Sequence, residues 1–242
     1  MTLPEQRART LTGRLLGGGL ARKAVGVAGV AVGLALVAFA LPIVRAEYAR
    51  LFVSGLEADL RRQTDLSDER LADLAGVLRD ARSHRRDPAI AQELGLIELI
   101  RLERSAASDD PAAYDRPAEL LEEGLARRPA APHAWTRLAR ARYQGNRPAS
   151  AVREVLVLAI TTGPTVRRLG VPRLEIGLRI WDALGDYERG LVRRQARLAF
   201  DHDARSAVEV ALAAGRPGIV RGALRGLAGP AKFDRLLAEI RS

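Results

Sequence analysis

Apolar residues recur every three or four positions along most of the chain beyond residue 45. Leu71, Leu74 and Leu78 share this spacing in one stretch, and Leu94 and Ile97 share it in the next. Such residues lie on one face of an α-helix, whereas a half-buried strand needs strict alternation. Ala, Leu and Arg dominate the composition, and aromatic residues make up only 4%. The sequence therefore predicts an all-α fold.

One stretch, residues 24–44, carries no charged side chain and is bracketed by Lys23 and Arg45. A helix of this length spans about 31 Å, which matches the hydrocarbon core of a bilayer. We predict a single transmembrane helix over 24–44. The alternative is a cleaved signal peptide, since Ala-Phe-Ala at 38–40 matches a cleavage pattern. The apolar run exceeds the usual length of such a peptide, and Pro42 follows the site closely.

The predicted organisation has four parts: a basic cytoplasmic tail over 1–23, the transmembrane helix over 24–44, a helical stalk and first soluble helix over 45–86, and a helical-repeat domain over 87–242. Five basic residues precede the span and four follow it closely. This weak bias favours a cytoplasmic N-terminus and a domain on the other side. Gly26, Gly29 and Gly33 form a small-residue face that could pack a partner helix, although glycine is common in such segments.

A repeat motif lies near the middle of the chain. Trp135, Leu138 and Ala139 match W-x-x-L-[GA], and Tyr143 and Gly145 follow near an aromatic and a turn position. This pattern resembles the tetratricopeptide repeat. The resemblance implies a right-handed array of helical hairpins, a tetratricopeptide-like α-solenoid.

A second part of the pattern follows, where Trp181 precedes the turn-like run Leu184-Gly185-Asp186-Tyr187. The resemblance places a common set of residues in the repeat core: Trp135, Leu138, Ala139, Trp181, Leu184, Gly185 and Tyr187. The candidate turn glycines at 145, 185 and 215 are 40 and 30 residues apart, rather than at the constant spacing of ~34 that the repeat has. A different, irregular helical array therefore stays an alternative.

The anchor occurs together with three sequence segments: PHAWTRLA at 132–139, Thr-Gly-Pro at 162–164, and RIWDALGD at 179–186. This combination resembles the bacterial VpsP-like polysaccharide biosynthesis proteins, which are single-pass proteins with a helical domain. The resemblance implies a single-pass protein of the bacterial inner membrane with a link to exopolysaccharide production, and the charge bias around the span places its domain outside the cytoplasm. It assigns no catalytic residue.

Groups that could carry chemistry are sparse. The chain has no cysteine, and its three histidines, His84, His133 and His202, lie far apart without metal-ligand spacing. The carboxylate pairs at 109–110 and 122–123 have no neighbours that would raise a pKa for acid–base work. We therefore predict no enzyme activity, no metal site and no cofactor, with an enzyme kept only as a third hypothesis.

The formal net charge is +10, and nearly all of the positive charge is arginine. Arg137, Arg140, Arg142 and Tyr143 form a candidate partner-binding groove, because arginine binds carboxylates in a bidentate way. The alternative is a solvated helix face. Nucleic acid is disfavoured, since the basic clusters lack interleaved aromatic residues for base stacking.

The leading hypothesis is a membrane-anchored scaffold for other membrane or envelope proteins, in contact with lipid through residues 24–44. The alternative is direct binding of an acidic polysaccharide or lipid by an arginine-lined groove.

Overall fold

The computed structural model describes residues 26–41, 44, 67–84, 87–226 and 229–241. The predicted basic tail over 1–23 lies outside these residues, as do residues 45–66 and 85–86 of the predicted stalk and first soluble helix over 45–86. Within the described ranges every regular element is a helix and no strand is present. The prediction of an all-α fold is confirmed.

The first helix, α1, covers residues 26–41. Its apolar side chains are exposed, with Val27 at 71% and Phe39 at 73%. Four residues of the predicted span, at 24, 25, 42 and 43, lie outside the described part. Among the residues that are described, no helix combines the length and the apolar character required to cross a membrane.

Ten further helices follow in chain order within the described part of the chain. They are α2 Asp68–His84, α3 Pro88–Glu103, α4 Asp115–Arg127, α5 Pro132–Gln144, α6 Ala149–Thr161, α7 Gly170–Arg179, α8 Asp186–His202, α9 Ala204–Ala213, α10 Pro217–Ala223 and α11 Gly229–Arg241. Short 3₁₀ turns occupy Ala106–Asp109, Pro111–Tyr114, Arg167–Leu169 and Trp181–Ala183.

Local sequence fixes several helix starts. Asp87 caps α3 by accepting a hydrogen bond from the backbone N–H of Ala89 at 2.8 Å. Asp203 caps α9 by accepting from the N–H of Ser206 at 3.1 Å. Proline is the first residue of α3, α5 and α10, where its missing N–H would have no helical partner.

The helices pack as consecutive pairs: α3 with α4, α5 with α6, α7 with α8, and α9 with α10. Each odd-numbered helix from α3 onwards also contacts the next odd-numbered helix, up to α11. One buried apolar cluster extends from Leu121 in α4 to Phe233 in α11, and a second joins α2 to α3 and α4. The chain therefore forms an array of helical hairpins in which each hairpin buries its apolar face against its neighbours.

Two glycines let paired helices approach closely. A Cβ at Gly124 in α4 would lie 2.5 Å from Cγ of Gln92 in α3. A Cβ at Gly177 in α7 would lie 2.6 Å from a methyl carbon of Val192 in α8. Atoms at these distances would overlap, so the spacing of both hairpins depends on the missing side chain.

The residues predicted to form the repeat core do not all lie inside. Leu138, Ala139, Trp181 and Leu184 are buried, and Trp135 is half-buried against the same cluster.

For Gly185 and Tyr187 the prediction is wrong: Gly185 is exposed, and Tyr187 is 63% exposed. Gly185 is the N-cap of α8 and Tyr187 lies in its first turn, whereas the buried stripe of that helix begins at Leu191. The two residues therefore precede the part of α8 that contacts its neighbours.

The turn positions also differ from the motif. Gly145 ends α5 with a φ of −71°, and the left-handed conformation falls on the next residue, Asn146, at φ 52°. Gly215 after α9 does adopt a positive φ, at 68°. Asparagine tolerates this region better than most residues, so the α5–α6 turn does not need its glycine for that reason.

Candidate partner-binding surface

The arginines of the predicted groove lie on α5, where carboxylates of the chain itself already bind them. Arg140 donates from Nε to Glu103 of α3 at 2.5 Å and from Nη1 to Glu175 of α7 at 3.5 Å. Arg137 lies 3.9 Å from Oε2 of Glu93 in α3. These pairs tie three successive odd-numbered helices together across the array.

Arg142 makes the same kind of contact on the other side of α5. Its Nη2 donates to Glu122 of α4 at 2.9 Å, and its Nη1 donates to the carbonyl of Ala151 in α6 at 3.2 Å. Tyr143 is half-buried and packs against the main apolar cluster. A partner that binds the predicted groove through Arg137, Arg140 and Arg142 would have to displace these internal contacts.

A small pocket of about 300 Å³ lies beside Arg142, between α4 and the α5–α6 turn. Two ion pairs lie within the pocket, Arg142 with Glu122 and Arg147 with Asp115, and a further lining carboxylate, Glu119, pairs with Arg116 beside it. Tyr114 lines its inner end and donates its hydroxyl to the carbonyl of Ser108 at 3.1 Å. Burial, followed by the nearby negative charge of Glu103, raises the pKa of Tyr114. This pocket offers little net charge to a ligand.

A buried arginine lies deeper in the array. Arg173 of α7 is 0% exposed, and its Nε donates to Thr136 of α5 at 3.1 Å. Its Nη1 donates to the carbonyl of Gly163 at 2.7 Å and to Oε1 of Gln195 in α8 at 3.4 Å. Its Nη2 has no hydrogen-bond partner in the part of the chain that the structure describes. Burial lowers the pKa of Arg173 to about 10.

Sequence reasoning missed this cluster. Within the described residues no carboxylate pairs with Arg173; the groups around it are a hydroxyl, a carbonyl and a carboxamide. The signal available in the sequence was the helical spacing of Gly170, Arg173 and Gly177. In the structure all three are buried on one side of α7. A buried cation without a counter-ion leaves local positive potential, because the interior screens it weakly.

The two tryptophans differ in their surroundings. Trp181 is buried, and Arg189 and Arg193 of α8 stack over its ring at 5.6 and 5.4 Å from the centroid. Trp135 donates its indole N–H to the carbonyl of Pro129 at 2.7 Å. Both rings stabilise hairpin contacts, and the arginines over Trp181 contribute a cation–π attraction.

Within the described ranges no group of three or more His, Asp or Glu residues is placed to hold a metal ion.

The helices define the class of protein, which is an all-α array of packed hairpins. No protein-family model matches the chain, and no curated protein is detectably similar in sequence.

Among solved structures, a thermophilic tetratricopeptide-repeat (TPR) protein of Thermus thermophilus is similar over 70% of this chain and 92% of that chain. The TM-score is 0.44 and the sequence identity is 16%.

Proposed function

We propose that this protein is a non-catalytic, membrane-anchored scaffold that holds partner proteins on a tetratricopeptide-like array of helical hairpins. The observation that supports the proposal is the packing of hairpins one upon the next along a continuous core. Arrays of this kind present a long surface relative to their mass, and they are suited to binding a helix or an extended peptide.

We further propose that α1 belongs to a membrane anchor over residues 24–44, which contain no charged residue. Val27, Leu34 and Phe39 are all exposed, so the helix has apolar side chains for lipid to cover. We expect the full chain to stay with membranes through a carbonate wash and to be released by detergent. A Val30→Lys/Leu34→Lys variant should move to the soluble fraction. Wild-type protein in the wash supernatant would contradict the anchor.

The soluble part is proposed to lie outside the cytoplasm of a bacterial cell, attached to the inner membrane. The excess of basic residues before the span supports this orientation. A C-terminal alkaline phosphatase fusion should be active, and a C-terminal green fluorescent protein fusion exported by the general secretory route should be dark. The opposite pair of results would reverse the proposed orientation.

Partner binding is tested by isolating the tagged full chain from detergent-solubilised membranes. We expect a reproducible set of envelope proteins that is absent when Leu121→Asp is used instead. Leu121 is fully buried, so an aspartate there should unfold the hairpins while leaving the anchor intact. Equal recovery with the wild-type chain and with Leu121→Asp would mean that the membrane segment alone accounts for the co-isolation of those proteins.

The resemblance to VpsP-like proteins extends the proposal to assembly or export of a bacterial exopolysaccharide. Genes for glycosyl transfer or polysaccharide export next to this one would support that extension.

The second candidate function is direct binding of an anionic glycan or lipid. It is favoured by the net charge of +10 and by the exposed Arg167 and Arg168. Salt-sensitive retention on immobilised polyuronate, with no co-isolated protein, would select it.

A further inference from the structure

A cleft of about 510 Å³ lies between the end of α6, the α6–α7 connection and α8. Ile160, Pro164, Leu191 and Leu198 supply apolar surface inside it. Its volume falls within the range of ~300–1,000 Å³ that is typical of ligand sites. The even-numbered helices form this cleft, so it is distinct from the α5 arginines that the sequence singled out.

Two arginines of α8, Arg194 and Arg197, line the cleft and are exposed. Residues three apart share a helix face, so both guanidinium groups face the same opening. Within the described residues neither has a carboxylate within 4.0 Å, in contrast to Arg137, Arg140 and Arg142. Asp201 is the one acidic residue among those that line the cleft, and it pairs with neither arginine.

The position of Arg197 is fixed by a neighbouring helix. Its Nε donates to the carbonyl of Ala223 in α10 at 2.6 Å. That bond orders the side chain and leaves its two terminal amino groups available to a ligand. A guanidinium held in this way loses less conformational entropy on binding than a mobile surface arginine does.

The buried arginine lies behind the cleft. Gln195 lines the cleft but is only 1% exposed; its Oε1 accepts from Arg173, and its Nε2 donates to the carbonyl of Pro164 at 3.0 Å. Arg173 has no carboxylate partner among the described residues. Its charge adds to that of Arg194 and Arg197, and these three positive charges outnumber the single negative charge of Asp201, so the potential in the cleft is positive.

We propose that this cleft binds an extended acidic peptide segment of a partner protein. An apolar side chain of the segment packs against Ile160, Leu191 and Leu198, while its carboxylates accept hydrogen bonds from Arg194 and Arg197. The proposal rests on the scaffold function and assigns it a site and a partner chemistry. A glycan fits less well, because none of the described residues that line the cleft is aromatic and sugar hydroxyls would face the apolar residues.

The test uses the full chain in detergent and a fluorescein-labelled Asp-Leu-Glu-Leu-Asp-Leu peptide, with fluorescence anisotropy as the readout. The Asn-Leu-Gln-Leu-Asn-Leu peptide serves as the neutral counterpart. We expect the acidic peptide to bind and the neutral one to bind at least about tenfold more weakly, because loss of a single charge-assisted hydrogen bond lowers the affinity by about that factor or more. Arg194→Gln/Arg197→Gln should lower the affinity for the acidic peptide by a similar factor.

The matched control is Arg179→Gln/Arg235→Gln, which removes the same charge from exposed positions outside the cleft. It should change the affinity by less than about twofold, allowing for weak long-range screening. Arg194→Gln alone is the second test, because Arg194 makes no described hydrogen bond whose loss could disturb the fold. A circular dichroism spectrum of each variant verifies its helix content.

Equal loss in the two double variants would mean non-specific charge attraction and would overturn the proposal. Equal affinity for the acidic and neutral peptides would overturn it as well, as would binding of an oligouronate without binding of the peptide. If envelope proteins still co-isolate with Arg194→Gln/Arg197→Gln in full yield, the scaffold function stands and this site is rejected. If no protein co-isolates with the wild-type chain, the scaffold function itself fails, whatever the peptide does.

Discussion

Replacing Gly124 by alanine tests how closely α3 and α4 approach each other. The new Cβ would lie 2.5 Å from Cγ of Gln92 and 2.7 Å from the carbonyl oxygen of Pro88. Gln92 is buried, and the second neighbour is backbone at the start of α3. Neither can move away freely, so the two helices must separate to admit one methyl group.

Two opposing terms set the size of the effect. Overpacking of a well-filled interface costs about 1–3 kcal/mol. Alanine is a better helix former than glycine, which returns up to about 1 kcal/mol. Since both contacts are far below van der Waals distance, we expect the upper part of the first range and a net loss of about 2 kcal/mol for Gly124→Ala. For a domain of this size that lowers Tm by roughly 4–8 °C.

The matched control is Gly190→Ala in α8, where a Cβ would meet no heavy atom within 4 Å. Only the propensity term remains there, so the same substitution should raise Tm by roughly 1–4 °C. Thermal unfolding of the full chain in detergent, followed by circular dichroism at 222 nm, compares the two variants. If Gly124→Ala raised Tm as Gly190→Ala does, the close approach of α3 and α4 would be refuted.

Three further predictions concern individual side chains. Asp203→Ala should lower the free energy of unfolding by about 1 kcal/mol, because α9 loses its cap. Hydrogen bonds from Ser206 lower the pKa of Asp203. The stabilisation by Asp203 is therefore present above the ordinary carboxyl pKa and is lost as the pH falls through the lowered pKa, which denaturation between about pH 7 and pH 2 measures. Arg173→Ala should lower the free energy of unfolding by at least about 2 kcal/mol, and Arg173→Met should lower it by less. Both variants lose the same hydrogen bonds, but the longer methionine side chain leaves a smaller cavity. Equal midpoints of urea denaturation for the two variants would contradict this reasoning. Arg140→Gln should cost under about 1 kcal/mol, with the difference from wild type shrinking near 1 M NaCl, because its ion pairs are partly exposed.

The helices could be predicted because their apolar spacing is a local property of the sequence. Leu138 and Ala139 fall on such a stripe and are buried. Gly185 and Tyr187 match a repeat motif but are exposed. A motif fixes positions along the chain, whereas burial depends on where the neighbouring hairpin ends. In α8 the buried stripe begins only at Leu191.

The arginines could be found in the sequence, but their partners could not. The ion pair of Arg140 with Glu103 joins residues 37 positions apart, and that with Glu175 joins residues 35 apart. Such pairs depend on the register between hairpins, which no local pattern specifies. Arg173 shows the same limit, since its burial depends on α5 and α8 closing over α7.

The polar contacts between hairpins also lack a constant spacing. Arg173 bonds to Thr136 across 37 residues and Arg216 to Asp182 across 34, whereas Arg82 bonds to Glu123 across 41 and Arg197 to the carbonyl of Ala223 across 26. Neither these contacts nor the glycines at 145, 185 and 215 therefore follow the fixed step of ~34 residues that a tetratricopeptide repeat has. Each contact depends instead on where a particular pair of helices meets, and this is why the ion pairs of α5 had to be read from the structure. The same holds for Arg194 and Arg197 of α8, whose lack of a carboxylate partner among the described residues no sequence pattern indicates.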